Sequence, residues 1–160
     1  MFLQLHGTKM EFQIDYDEAI MLDAEEMAEQ GIAEAYDLIQ SKLKTYVTHP
    51  KAIEEVIDDE SSSYTVKFDD QEFAIYSPDL DDKGGNSWGR ATFALFSIVN
   101  SQLVNSGSGY RFFAINGGND LLGIFLTLEQ ANLSRKALKQ SKRDWPYLPT
   151  CEPPWYGEHH

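Results

Sequence analysis

The segment 79–86 (Asp-Leu-Asp-Asp-Lys-Gly-Gly-Asn) comes nearest in this chain to the residue types and spacing of a metal site. An Asp-x-Asp opening with glycine in the sixth position is typical of a loop that binds calcium through carboxylate oxygens. Lys83 and Arg90, however, occupy the fifth and twelfth positions, where such a loop needs oxygen ligands. We therefore predict no metal site and no cofactor. A solvated acidic loop that leads into a helix is favoured, with an acidic contact surface as the alternative.

No arrangement of nucleophile and base predicts a catalytic residue in this sequence. The single cysteine, Cys151, lies in a proline-rich tail with His159 as its nearest histidine, a setting that favours an inert thiol. Acidic pairs are so abundant that no two carboxylates stand out as a catalytic acid and base. The sequence favours a protein that is not an enzyme. An enzyme of unknown reaction that uses carboxylates near 79–86 remains an alternative.

The charge of the chain is the most informative feature of its composition. It carries 26 acidic and 13 basic side chains, a net charge of −13, and 21 of the acids lie in residues 1–83. Nucleic acid and anionic membranes would repel such a chain, so we expect neither as a partner and expect attraction to a basic protein. No apolar run approaches the ~20 residues of a membrane span. With one cysteine and no signal-like N-terminus, we expect a cytoplasmic protein.

Two groups of residues are predicted to form a partner-binding surface. Alternate connections of an antiparallel meander fall at the same end of a sheet, so the acids at 58–60 and 79–82 should share one end, with the 69–72 turn at the other. The proline-rich tail adds aromatic side chains, which favour a strap packed on the domain or, alternatively, a partner-binding segment. The candidate binding residues are Asp58, Asp59, Glu60, Asp79, Asp81, Asp82, Trp145, Tyr147, Trp155 and Tyr156.

The elements that must position these residues follow from hydrophobic periodicity and capping signals. Asp23 is predicted to cap a helix that Gly31 interrupts, and Asn86 or Ser87 begins a second helix that runs to about Asn105. Thr127 is predicted to cap a third, with Gln130 as its capping-box partner. We expect a single α+β domain over 1–160, with 1–9 loose and 144–160 an extended strap. Its helices should cover an antiparallel sheet of about five strands: 52–57, 64–68, 73–76, 110–115 and 121–126.

In composition alone, a small and very acidic α+β chain without catalytic signatures is similar to bacterial inhibitor and immunity proteins, which bind and block basic enzymes. The resemblance covers no specific motif. It implies a binding protein whose acidic face engages a basic partner, since opposite charge speeds encounter and discriminates between partners. The alternatives are the carboxylate enzyme above and a structural domain that self-associates.

Overall fold

The computed structural model describes residues 4–6, 9–80, 86–139 and 141–152 of the chain. These residues form an α+β fold in which helices pack against antiparallel strands. No helix in the described ranges is long and apolar enough to cross a membrane. The elements, in chain order, are β1 (Gln4–His6), β2 (Lys9–Glu11), β3 (Ile20–Met21), α1 (Ala24–Glu26), α2 (Ile32–Leu43), β4 (Glu54–Asp58), β5 (Ser63–Phe68), β6 (Gln71–Tyr76), α3 (Asn86–Asn105), β7 (Tyr110–Ile115), β8 (Leu122–Thr127) and α4 (Leu128–Ala137).

The expected five-stranded sheet is wrong, because its strands divide between two sheets. One three-stranded sheet has the order β4-β5-β6 and the other has the order β3-β8-β7, while β1 and β2 form a separate hairpin. Both larger sheets are antiparallel throughout. The long helix α3 connects β6 to β7 and packs on both. The edge of β7 that could have joined β6 is instead bonded to the Asn100 side chain and to Tyr147.

Helices α1 and α2 form one bent unit, as the capping residue and the glycine predict. The Asp23 carboxylate accepts hydrogen bonds from the backbone amides of Glu25 and Glu26, at 2.9 and 3.3 Å. The chain then leaves helical geometry at Glu29 and at Gln30, whose φ is 73°. A Cβ atom on Gly31 would lie 2.5 Å from the Glu26 carbonyl oxygen, so only glycine fits this close approach. The predicted break at Gly31 is confirmed.

Helix α3 supplies much of the core, as its broad apolar surface predicts. Leu95, Phe96 and Val99 are almost fully buried, and the Phe96 ring stacks on Phe112 of β7 with centroids 4.6 Å apart. Burial of such side chains is the main favourable contribution to folding. The helix therefore holds the two sheets in one core.

The beginning of the C-terminal tail packs as the predicted strap. Trp145 Nε1 donates a hydrogen bond to the Leu138 carbonyl oxygen at 2.9 Å. Tyr147 and Ala114 of β7 exchange backbone hydrogen bonds of 2.8 and 2.9 Å, and the Tyr147 hydroxyl donates to the Asn116 carbonyl at 2.6 Å. This part of the tail therefore extends the β7 edge.

Candidate functional site

The acidic connections of the first sheet are arranged by the register of its strands. Ile57 of β4 pairs with Tyr64 of β5, and Tyr64 pairs with Tyr76 of β6. The end of β4, the start of β5 and the end of β6 therefore lie together, and the turn at 69–70 lies at the opposite end. Asp79 follows β6 in a turn closed by a 3.1 Å hydrogen bond from the Leu80 amide to the Ser77 carbonyl.

The bend between α1 and α2 is fixed to this same end of the sheet. Gln30 Nε2 donates a 2.9 Å hydrogen bond to the Tyr76 hydroxyl. The Ile32 amide, at the start of α2, donates to the Tyr64 hydroxyl at 3.2 Å. Glu29 is the residue before Gln30, and its exposed carboxylate therefore lies beside the end of β6. The bend and the sheet end thus form one continuous part of the molecule.

A buried tyrosine makes the second connection between α2 and the sheet. The Tyr64 hydroxyl donates a short hydrogen bond to the Glu55 carboxylate, which also lies 3.5 Å from the Ala33 amide. Burial, and then the hydrogen bond to Glu55, raise the pKa of Tyr64 above its ordinary value. Tyr64 therefore keeps its proton and remains a donor to Glu55 while its oxygen accepts from α2.

Seven exposed carboxylates surround this part of the molecule, which we call the acidic end. None of them forms an ion pair with any residue that the structure describes. The other end of the sheet differs, since Lys51 lies 3.0 Å from Asp69 and Lys67 lies 3.4 Å from Glu72. Ion pairs therefore neutralise part of the negative charge at that end of the first sheet, whereas none is described at the acidic end. The acidic end consists of Glu26, Glu29, Glu34, Asp58, Asp59, Glu60 and Asp79.

A cleft of about 380 Å³ lies beside the bend, with acids and exposed apolar side chains in its wall. Met21 is 81% exposed and Leu38 is 60% exposed, and both line this cleft. Glu26, Glu29 and Glu34 line the same cleft. The acidic end thus offers non-polar contact area together with negative charge.

The predicted acids of the β4–β5 connection have different local roles. Asp58 Oδ1 accepts hydrogen bonds from the backbone amides of Glu60 and Ser61 at 3.0 and 3.2 Å, so it shapes the turn. The bonds from Ser61 hold the pKa of Asp58 below its ordinary value. Asp59 and Glu60 are exposed in the turn itself. They are available to a partner without loss of a described contact.

The remaining predicted site residues are not gathered at the acidic end. Trp145 and Tyr147 bond to the α4 terminus and to the β7 region, so they belong to the strap on the second sheet. Asp81, Asp82, Trp155 and Tyr156 lie outside the described residues. Sequence reasoning missed the contribution of Glu26, Glu29 and Glu34. The available signal was their position on either side of Gly31, where a break in the helix turns their side chains toward one cleft.

The chemistry available at the acidic end is electrostatic and non-polar contact. Within the described ranges, no group of three or more histidine, cysteine, aspartate or glutamate side chains could hold a metal ion. Comparison with models of known protein families, with curated proteins and with solved structures finds no match for this chain.

Proposed function

We propose that this protein binds a basic partner protein through its acidic end, as an inhibitor or immunity-type protein that blocks a basic enzyme. One observation carries the proposal. The carboxylates of the acidic end have no ion-pair partner among the described residues, whereas Asp69 and Glu72 at the opposite end each have a lysine beside them. Exposed charge of one sign that the chain itself leaves unneutralised is suited to a partner of the opposite sign.

The cleft beside the bend supports the same proposal. Electrostatic attraction between exposed groups mainly raises the association rate and is screened over ~8 Å at physiological salt. A long-lived complex also needs buried non-polar contacts near its centre. The exposed Met21 and Leu38 side chains, with three carboxylates around them, supply such contacts.

The test compares two variants that remove the same number of charges. One carries Glu29→Gln, Glu34→Gln and Asp79→Asn at the acidic end, and its control carries Asp69→Asn, Asp70→Asn and Glu72→Gln at the other end. Each is immobilised beside the unaltered chain, exposed to a cell lysate at low salt and eluted at high salt. We expect the unaltered chain and the control to retain a basic protein that the acidic-end variant does not retain.

The captured protein must then be purified and its association measured. We expect its association rate to fall steeply as salt is raised, and we expect its enzymatic activity to fall when the unaltered chain is added. Equal binding to both variants would contradict the proposed surface. Binding without any effect on the partner's activity would contradict the inhibitor role and leave the binding role. A chain that captures no basic protein and whose mass rises with its own concentration would favour self-association instead.

A further inference from the structure

The described strand edges of the two larger sheets differ in what covers them. On β7, the Asn100 side chain exchanges hydrogen bonds of 2.7 and 3.0 Å with the Phe112 backbone, and Tyr147 pairs with Ala114. On β8, Leu122 and Gly123 are paired with β3. On β6, Arg90 Nε donates to the Ile75 carbonyl at 2.6 Å. Proteins commonly cover their edges in these ways, because an uncovered edge pairs with other strands.

The outer edge of β4 has no such cover within the residues that the structure describes. None of the backbone hydrogen bonds outside the sheets involves residues 54–58. Val56 and Ile57 are 39% and 42% exposed, although aliphatic β-branched residues are usually buried in strands. The strand is therefore short, accessible and partly apolar.

The register shows which backbone groups this edge presents. The turn at 69–70 has two residues, so the residue pair that closes it is hydrogen-bonded through its backbone. From that pair onward, the backbone N–H and C=O groups of successive β5 residues point alternately toward β6 and toward β4. On this alternation Thr65 bonds to Val56 of β4. The amides and carbonyls of Glu55 and Ile57 then point away from β5. They form the free edge.

The charge of β4 decides which strand fits that edge. Its residues include Glu54, Glu55 and Asp58 and no base, and the strand leads directly into Asp59 and Glu60. A second copy of β4 would place like charges on neighbouring strands, which is unfavourable. A strand with lysine or arginine at every second or fourth position would place its cations beside these carboxylates. The Glu55 carboxylate is already held by Tyr64, so the exposed charges of the strand are Glu54 and Asp58, of which Asp58 also accepts from the turn amides through Oδ1.

We propose that β4 is a docking edge that takes an extended basic strand of the partner as a further strand of the sheet. The proposal rests on the proposed function for the sign of the partner's charge. Backbone bonds to Glu55 and Ile57 would supply affinity, and side chains beside Glu54, Val56 and Asp58 would supply selectivity.

The test uses amide hydrogen exchange followed by NMR on the full chain. The probe is a synthetic ten-residue peptide that contains the sequence Lys-Thr-Val-Thr-Lys. The control peptide has glutamate in place of each lysine. In the free protein we expect the Glu55 and Ile57 amides to exchange quickly and the Val56 amide slowly. The lysine peptide should slow exchange at Glu55 and Ile57 by about tenfold or more, and the control peptide should not.

A pair of variants separates the backbone from the side chain. Ile57→Pro removes the outward amide and should abolish peptide binding, whereas Ile57→Ala keeps the amide and should retain it. The exchange measurement on the unaltered chain decides the matter if Ile57→Pro does not fold. The proposal is overturned if Glu55 and Ile57 are already slow in the free chain, since the chain then covers its own edge. It is also overturned if the lysine peptide at millimolar concentration leaves the exchange of both amides fast. The same holds if raising the protein concentration alone slows their exchange.

The two proposals fail in different ways. A captured basic partner that requires the acidic end but leaves Glu55 and Ile57 fast in its complex would contradict the docking edge and support the binding function. Protection of both amides by the lysine peptide, with no basic protein captured, would support the edge and contradict the binding function.

Discussion

Gln30 and Tyr76 lie 46 positions apart in the sequence, and the hydrogen bond from Gln30 Nε2 to the Tyr76 hydroxyl, 2.9 Å long, joins the helix bend to the end of the first sheet. Gln30 has the left-handed backbone that turns α1 into α2, with φ of 73°. The bend therefore has two consequences. It separates the two helices, and it brings Glu29 and Gln30 beside Tyr76 at the end of β6.

We expect Gly31→Ala to destabilise the protein by about 1–3 kcal/mol, because the added Cβ meets backbone and the chain must shift. That Cβ would lie 2.5 Å from the Glu26 carbonyl oxygen, far inside normal contact. Gly109→Ala is the matched control, since a Cβ there would meet nothing within 4 Å, and should change stability by less than about 0.5 kcal/mol. Urea unfolding of both variants measures the difference. Equal effects would mean that the bend is not held as described.

Tyr64 should make the stability of the protein depend on pH in the alkaline range. Its pKa is raised in the folded state by burial and by the bond to Glu55, whereas in the unfolded chain a tyrosine loses its proton near pH 10. The folded state therefore binds more protons above that pH. Stability contributed by neutral Tyr64 is fully present below pH 10 and falls as pH rises beyond it, by at most about 1.4 kcal/mol per pH unit for one proton.

Tyr64→Phe isolates this effect from that of the other buried tyrosines. The variant should be less stable at pH 8, because the Ile32 amide and the Glu55 carboxylate lose their hydroxyl partner. The difference in the free energy of unfolding between the variant and the unaltered chain should become smaller as pH rises above 10. Urea unfolding at pH 8, 9, 10 and 11 measures it. A difference that stays constant over this range would contradict the raised pKa.

We expect Leu95→Ala to cost about 2–5 kcal/mol, the usual range when a buried leucine is truncated and leaves a cavity. Leu95 is fully buried in α3, whereas Val104, on the same helix, is 55% exposed. Val104→Ala should therefore cost less than about 1 kcal/mol. Thermal and urea unfolding of the two variants provide the comparison. A loss below about 1 kcal/mol for Leu95→Ala would show that the helix faces the sheets in another register.

The parts of the fold that the sequence predicted well depend on interactions between residues that are close together in the chain. The Thr127 and Gln130 capping box is present as predicted, because its partners are three residues apart and need no distant element. The strand at 110–115 and the helix ending at Asn105 also follow from local periodicity and the glycines between them. Elements of this kind are encoded within a few residues.

The parts that sequence could not predict depend on long-range pairing. Which strands share a sheet is decided by contacts across α3, and Asn100 uses its side-chain amide to fill the edge of β7 in place of another strand. The acidic charge was visible in the sequence. Which of the acids have a lysine beside them required the positions of Lys51 and Lys67.

The loop that follows β6 should contribute to the rate at which the basic partner associates. Asp79 is exposed in its first turn, while Asp81 and Asp82 lie outside the described residues. Replacing all three aspartates by asparagine should slow association with the basic partner and flatten the dependence of its rate on salt, because these charges act on the approach. Folding should be nearly unchanged, since the described Asp79 side chain makes no described ion pair.

The matched comparison is Asp69→Asn with Asp70→Asn at the opposite end of the sheet. Lys51 already lies 3.0 Å from Asp69, so part of the charge at this end is neutralised before a partner arrives. The double replacement should therefore slow association less per charge removed than the triple replacement. Stopped-flow association at several salt concentrations, with thermal unfolding as the folding control, measures both. An unchanged rate and salt slope after the triple replacement would mean that the loop does not face the partner. The tail from Trp145 to Tyr156 would then be the next surface to test, because contacts of aromatic side chains are not screened by salt.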